Sequence, residues 1–296
     1  MSGNKSIRGS TEWERKFIDN FNQLCKQHSS WKVWQDFVNM SACAIANAVD
    51  RRTDVWKTRE DSYMEAVKKY SKEELELISV LLSITTLALE ENPEQDFLGR
   101  LYMRFNLENK WHGQFFTPWH VAELMTKMLV GDDLKEQIAS NGYVSVNDPC
   151  CGAGCMLIAF ANICKAELDI NYQKDVLFVG QDIDPVVAKM CYIQISLLGC
   201  PGYIVIGNSL TEPIGGTDTI SIVTNDNDIW YTPLWFTGFW PFRLYKEINT
   251  KNLEESIAKG ENVEKSVKQT PKVQHKQITN NFQKKKFSLL DFFTKR

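Results

Sequence analysis

No two of the eight cysteines stand as a Cys-x-x-Cys pair, so the chain lacks the usual spacing of a structural zinc site, and no metal is expected. It also lacks an apolar leader after Met1 and any apolar run long enough to cross a bilayer. The expectation is a cytoplasmic protein with no membrane contact, whose cysteines are small, buried, reduced thiols. Charge of one sign is scarce as well. The 34 Lys and Arg face 37 Asp and Glu, and the net charge of −3 gives no global basic signature of nucleic-acid binding, although a local patch is compatible with it. What remains is ordinary globular material: 296 residues, 43% hydrophobic, enough for one large domain or two smaller ones.

The chain is organised around Asn147-Asp148-Pro149-Cys150-Cys151-Gly152-Ala153-Gly154-Cys155, between the apolar runs Tyr143–Val146 and Met156–Phe160. This reads as strand, glycine turn, helix. Gly152 and Gly154 tolerate positive φ and let a ligand approach the backbone, and the following helix offers free N–H groups. A second strand, Asp175–Gly180, is apolar throughout, as in a parallel sheet, and ends in Gln181-Asp182-Ile183-Asp184-Pro185. Asp184-Pro185 supplies a helix cap, which leaves Asp182 free to accept ribose hydroxyls. Tyr203–Ile206 is a third strand ending in Gly207-Asn208-Ser209-Leu210, and Ile220–Val223 a fourth ending in Thr224-Asn225-Asp226-Asn227-Asp228. Polar residues at successive strand ends would face one crevice, the ligand side of an open α/β sheet.

Upstream, residues 11–110 read as helical. Phe17, Phe21 and Leu24, then Val33, Phe37, Met40 and Ala44, then Leu75, Ile78, Leu81, Leu82, Thr85 and Leu89 recur at helical spacing, with Ser71 and Glu74 as a capping box. Trp13, Trp31, Trp34 and Trp56 read as core. Thr117 and Pro118 read as N-cap and first residue of a helix through Val121, Leu124, Met125 and Met128. Phe115 and Phe116 either pack in the core or wall a ligand, and His120 reads as a surface residue.

Together, Gly113–Pro118, Asp148–Gly154, Gln181–Pro185 and Gly207–Leu210 resemble the ordered motifs of the S-adenosylmethionine-dependent DNA adenine-N6 methyltransferases, above all the modification subunits of type I restriction systems. The resemblance covers roughly residues 11–245. It implies an α/β fold in which an all-helical N-terminal domain (11–110) precedes a Rossmann-like methyltransferase domain (111–245), with an incomplete sheet. It implies S-adenosyl-L-methionine as cofactor, held by Phe115, Phe116, Thr117, Asp148, Cys150, Gly152, Gly154, Asp182, Ile183 and Asn208, the last standing where the family usually has Asp. By direct transfer to adenine in DNA, no cysteine nucleophile is needed.

The chain departs from the family where the fourth strand should end in Asn/Asp-Pro-Pro-Tyr/Phe. No such tetrapeptide is present. Asn225 and Asp228 are the candidate acceptors from a target amino group, and Trp230 and Tyr231 the candidate stacking rings for a flipped base; a surface turn followed by a packing segment is the other reading. After Arg243 no comparable apolar runs follow, so either a partner subunit, of the specificity or modification kind, completes the protein, or it binds the cofactor without catalysis as a regulator or decoy, or it methylates another substrate.

Residues 246–296 read as a disordered linker with a short binding peptide at 286–293, its reach on the order of 35 Å. Leu289, Phe292 and Phe293 resemble a sliding-clamp-binding peptide, with Lys286 in place of the usual Gln; a helix docking on its own domain is the alternative. Seven basic residues against one acidic from Lys272 onward also suit weak phosphate contact.

Overall fold

The computed structural model describes residues 11–107, 116–131, 133–214, 229–237 and 240–244. Two compact units divide at Pro241; of the second, Phe242–Arg296, only residues 242–244 are described. The expected fourth strand at Ile220–Val223 and the tail peptide with Leu289, Phe292 and Phe293 lie outside the described residues.

Five helices come first: α1 (Glu12–Leu24), α2 (Ser30–Val49), α3 (Thr53–Val67), α4 (Lys72–Glu91) and α5 (Phe97–Arg104). Their starts follow capping chemistry. Thr11 with Glu14 and Ser71 with Glu74 form reciprocal boxes that satisfy backbone donors on both sides, and Ser29 and Asp96 cap α2 and α5. The apolar stripes then meet. Phe17 packs against Phe21, Trp34, Phe37 and Phe97, all buried. Of the four tryptophans expected in the core, Trp34 is wholly buried, whereas Trp31 is exposed.

Two helices, α6 (Trp119–Leu129) and α7 (Leu134–Asn141), lead to the sheet. It comprises β1 (Val144–Asp148), β2 (Val176–Asp182), β3 (Gly202–Ile206) and β4 (Ile229–Tyr231) in that order, with α8 (Cys155–Ala166) and the short α9 (Tyr172–Asp175) joining β1 to β2, and α10 (Pro185–Leu197) joining β2 to β3. The first three strands are parallel, with Asp148 opposite Gly180 and Asp182 opposite Ile206, so their carboxyl ends share one rim. β2 is central and buried almost throughout, which is why its sequence is continuously apolar. One hydrophobic core runs through α1, α2, α4 and α5, α8, α10 and the sheet. Trp34 on α2 donates to the Met190 sulfur on α10 at 3.4 Å, and Gln194 of α10 accepts from the Leu98 amide of α5 at 3.0 Å.

One expectation is corrected. Pro118 itself is the N-cap of α6, without side-chain capping, and Thr117 stands outside the helix. The apolar periodicity of α6 marks a face that no described residue covers: Val121, Leu124, Met125, Met128 and Leu129 are exposed, while Ala122 and Thr126 are buried. Close approach selects small residues, and Ala122 meets Cys155 and Ala159 of α8. Beside β3 on the side away from β2 lies β4, and it is antiparallel, with Tyr203 opposite Tyr231 and Val205 opposite Ile229. It is pinned there by several bonds. Arg59 of α3 donates to the Ile229 carbonyl at 3.0 Å and lies over the Trp230 ring at 4.4 Å. Thr232 accepts from the Gly202 amide at 3.0 Å and donates to the Cys200 carbonyl at 2.8 Å. Arg59 also pairs with the fully buried Asp50 at 2.8 Å; burial opposes the charge, but Arg52 and Arg59 outweigh it and hold the Asp50 carboxyl below its usual range.

α11 (Pro233–Thr237) follows, with Trp235 stacked on Tyr231 at 4.8 Å. No helix among the described residues is long and apolar enough to cross a membrane.

Candidate functional site

The glycine turn is built by its neighbours. Gly152 has φ +55° and Gly154 φ +96°, backbone that favours glycine, and a Cβ on Gly154 would also crowd the Cys191 sulfur at 2.8 Å. The Gly154 amide closes the turn on the Cys151 carbonyl at 2.8 Å, and the Cys151 amide is tied to the Gln181 carbonyl of β2 at 2.9 Å. Phe116 lies over the turn: a Cβ on Gly152 would be 3.4 Å from its ring, which also meets Tyr102 at 5.4 Å. The aromatic wall and the turn are therefore adjacent. Phe115 lies outside the described residues.

Two carboxylates face this turn. Asp148 Oδ1 accepts from the Cys150 amide at 3.1 Å. Asp182 Oδ2 accepts from the Gly152 amide at 2.9 Å, and its Oδ1 from the Asp184 amide at 3.0 Å, so the β2 carboxylate clasps the β1 turn. Asp184 caps α10 through Val186 and Val187, ahead of Pro185. Burial pushes the Asp148 carboxyl upward against the Cys150 hydrogen bond, and the charge of Asp182 adds to the rise. Burial likewise raises Asp182, against the amides of Asp184 and Gly152. No salt bridge brings a cation to either carboxylate among the described residues.

The end of β3 comes to the same place. Ser209 Oγ is 3.8 Å from Cys150 Sγ. Asn208 Oδ1 accepts from the Leu210 amide at 2.9 Å, a local turn that leaves one lone pair on that oxygen. Ile183 and Leu210 are exposed, Leu210 at 91%. Sequence reasoning missed Leu210 and the residue that carries its loop. Gln181, 1% exposed, donates to the Glu212 carbonyl at 2.9 Å and accepts from the Ile214 amide at 3.1 Å, strapping residues 208–214 over the strand end. A glutamine inside an otherwise apolar strand was the available signal, since a buried amide needs partners.

The structure thus brings together Phe116, Asp148, Cys150, Gly152, Gly154, Asp182, Ile183 and Asn208, with Thr117 half-buried just before α6. It does not bring Trp230 and Tyr231 to them. Both are buried in β4, which runs from the rim toward the opposite end of the sheet, and their rings contact Arg59 and Lys189, and Arg52 and Trp235, respectively. Asn225 and Asp228 lie outside the described residues. His120 is exposed, as expected. Cys151 and Cys155 are buried thiols, their ionisation raised; Cys150 is exposed, contrary to the expectation of burial. No group of His, Cys, Asp and Glu among the described residues is arranged to hold a metal ion.

Comparison with known proteins follows the same lines. The family model described as N-6 DNA methylase matches residues 94–276, which contain α5 to α11 and every element of the rim. No curated protein matches the chain. A solved structure of a proposed class I S-adenosylmethionine-dependent methyltransferase from Listeria monocytogenes is similar at 16% identity, with a TM-score of 0.40, over 70% of this chain and 56% of that one. The chain spans little more than half the length of that structure. With the family match covering more than half the sequence and the glycine turn, clasping aspartate and strand-end asparagine inside it, the chain belongs to the N-6 DNA methylase family.

Proposed function

We propose that the rim binds S-adenosyl-L-methionine and that the chain serves methyl transfer to the N6 amino group of adenine in DNA. The observation that carries the cofactor reading is the pair Asp148 and Asp182, two partly buried carboxylates that repel each other and meet no cation in the described protein. A ligand with positive charge and hydroxyls relieves that arrangement. The cofactor supplies a methyl group on a sulfonium, activated for direct transfer to an amino nitrogen. Asp182 keeps one lone pair on each oxygen for the ribose hydroxyls, Asn208 keeps one for an amino group, Ile183 and Leu210 offer apolar surface to a flat ring, and Phe116 shields the turn. The protein's share of catalysis is orientation and dipoles for the attacking nitrogen.

A second reading, cofactor binding without transfer, is favoured by the burial of Trp230 and Tyr231 away from the rim. Incubation with methyl-labelled S-adenosylmethionine and unmethylated adenine-rich duplex DNA separates the two. Label on adenine N6 is expected; cofactor binding without label supports the second reading, and absence of cofactor binding removes both.

Cofactor affinity should also depend on pH. Burial raises both carboxyls above their ordinary aspartate value, and a cationic ligand favours the ionised pair. Affinity is full above their raised values and falls as acid protonates them, beginning at a higher pH than an ordinary exposed carboxylate would set. Calorimetric titration from neutral pH downward should show this fall, with proton release on binding in the same window. A flat profile through the whole carboxylate range would place the cofactor elsewhere.

A further inference from the structure

On the same rim, beside the cofactor crevice, lies a second concavity. The first turn of α10, three residues beyond Asp182, forms one wall with Pro185, Val186 and Lys189, and α2 and α3 form the others, enclosing about 220 Å³. Lysines dominate its charge. Lys32 and Lys69 both contact one carboxylate, Asp36, at 3.2 and 3.4 Å, and that carboxylate also accepts from the Tyr70 hydroxyl at 3.0 Å. Lys189 is different. Its ammonium donates to Asn39 Oδ1 at 2.7 Å and lies 5.1 Å from the Trp230 ring, and no salt bridge joins it to a carboxylate among the described residues. Burial pushes its ionisation downward, and the nearby Arg59 adds to that.

A half-buried ammonium without a counter-charge is costly in the free protein and is relieved by an anion. The charge count gives the size of that anion. Three ammonium groups face the carboxylates of Asp36 and Glu65, which leaves one positive charge. One phosphodiester carries one negative charge, and lysine binds phosphate as a point charge with freely rotating donors.

We propose that this cleft receives one backbone phosphate of the DNA substrate, with Lys189 at its floor and Lys32 and Lys69 at its mouth. The inference rests on the proposed function, and it names how a chain with a net charge of −3 engages a polyanion: through one lysine cleft beside the reacting crevice. The contact carries no base information; it positions the duplex.

The test is anisotropy of a labelled unmethylated duplex with the full chain across a salt series, with cofactor binding measured in parallel. Lys69→Gln and Lys189→Gln are each expected to weaken binding by about three- to tenfold at low salt, equally for unrelated sequences, and the double variant to lower the slope of log affinity against log salt by about one. Lys57→Gln, an exposed lysine of α3 paired with Asp61, should change neither. Because Lys189 touches Trp230, Lys69→Gln, whose side chain is partly exposed, keeps the test independent of folding. Wild-type affinity and slope in the Lys69 and double variants would overturn the cleft while leaving the methylase reading intact. Cofactor binding without any DNA binding by the wild type would overturn the cleft together with the DNA part of that reading. Thermal stabilisation by inorganic phosphate with no effect of the variants on DNA would reassign the cleft to small anions and overturn the proposal as well.

Discussion

Asp182→Asn is expected to lower the affinity for S-adenosylmethionine by about a hundredfold, equivalent to about 2.7 kcal/mol, and also to lower the melting temperature of the ligand-free protein. The two effects have separate causes. Hydrogen bonds from ribose hydroxyls to a charged acceptor contribute about 1.5–3 kcal/mol, and the substitution removes the charge. In the free protein each Asp182 oxygen accepts a backbone N–H, from Gly152 and from Asp184. An amide has one oxygen. Whichever way Asn is turned, its NH₂ group points at one of those donors, at a cost of about 1 kcal/mol or more. At this size that shifts the melting temperature by about 2–4 °C for each kcal/mol. Asp148 is the contrast. It accepts a single backbone bond, from Cys150, which an Asn oxygen can keep, so Asp148→Asn should weaken cofactor binding with a smaller loss of stability. Calorimetry and thermal melts on the two variants decide the point. Unchanged affinity and unchanged melting temperature in Asp182→Asn would remove Asp182 from the site.

Gly154→Ala is expected to destabilise the fold by about 3 kcal/mol or more, a large share of the total of about 5–15 kcal/mol typical of a folded protein. One part is backbone. A φ of +96° lies beyond the left-handed well that L-residues tolerate, and such strain costs about 1–3 kcal/mol. The other part is space. The new Cβ would stand 2.8 Å from Cys191 Sγ and 3.5 Å from the Cys191 Cα, inside the buried body of α10, and overpacking of this kind costs a further 1–3 kcal/mol or so. A double-mutant cycle with Cys191→Ala separates them: removing the sulfur should restore the steric part and leave the backbone part. Chemical denaturation gives the numbers. A Gly154→Ala protein as stable as wild type would mean the turn adopts another backbone.

The sequence spoke clearly where the signal is local. The Ser71 box, the Asp184-Pro185 cap and the glycine turn each need residues within a few positions of one another, and all three form as expected. The parallel order of β1, β2 and β3 follows from the helices between them. Three things were hidden, and each depends on a distant partner. β4 is three residues long, too short for any periodicity, and its place is decided by Arg59, 170 positions earlier. For Trp230 and Tyr231 the sequence left base stacking and packing both open, and their burial in β4 matches the packing reading. On α6 the pattern shows which face is apolar but not that the small residues behind it make the contact. The cleft of Lys32, Lys69 and Lys189 joins three helices whose lysines look, in sequence, like ordinary solvated charges.

Gln194 ties these distant parts into one event. Its side chain, wholly buried on α10, accepts from the Leu98 amide at the start of α5, donates to Asp96 at 2.7 Å, and donates to the carbonyl of Ala153, between the two glycines, at 2.8 Å. Opening the first turn of α5 would leave the buried Gln194 oxygen without its Leu98 donor, and opening the glycine turn would take away its Ala153 acceptor, so each segment helps hold the side chain that the other uses. In the language of hydrogen exchange, the two segments are expected to share a local opening reaction. A ligand that fastens the turn is then expected to slow the escape of deuterium from the first turn of α5 as well, so that the N-terminal helices share in the cost of loosening the turn.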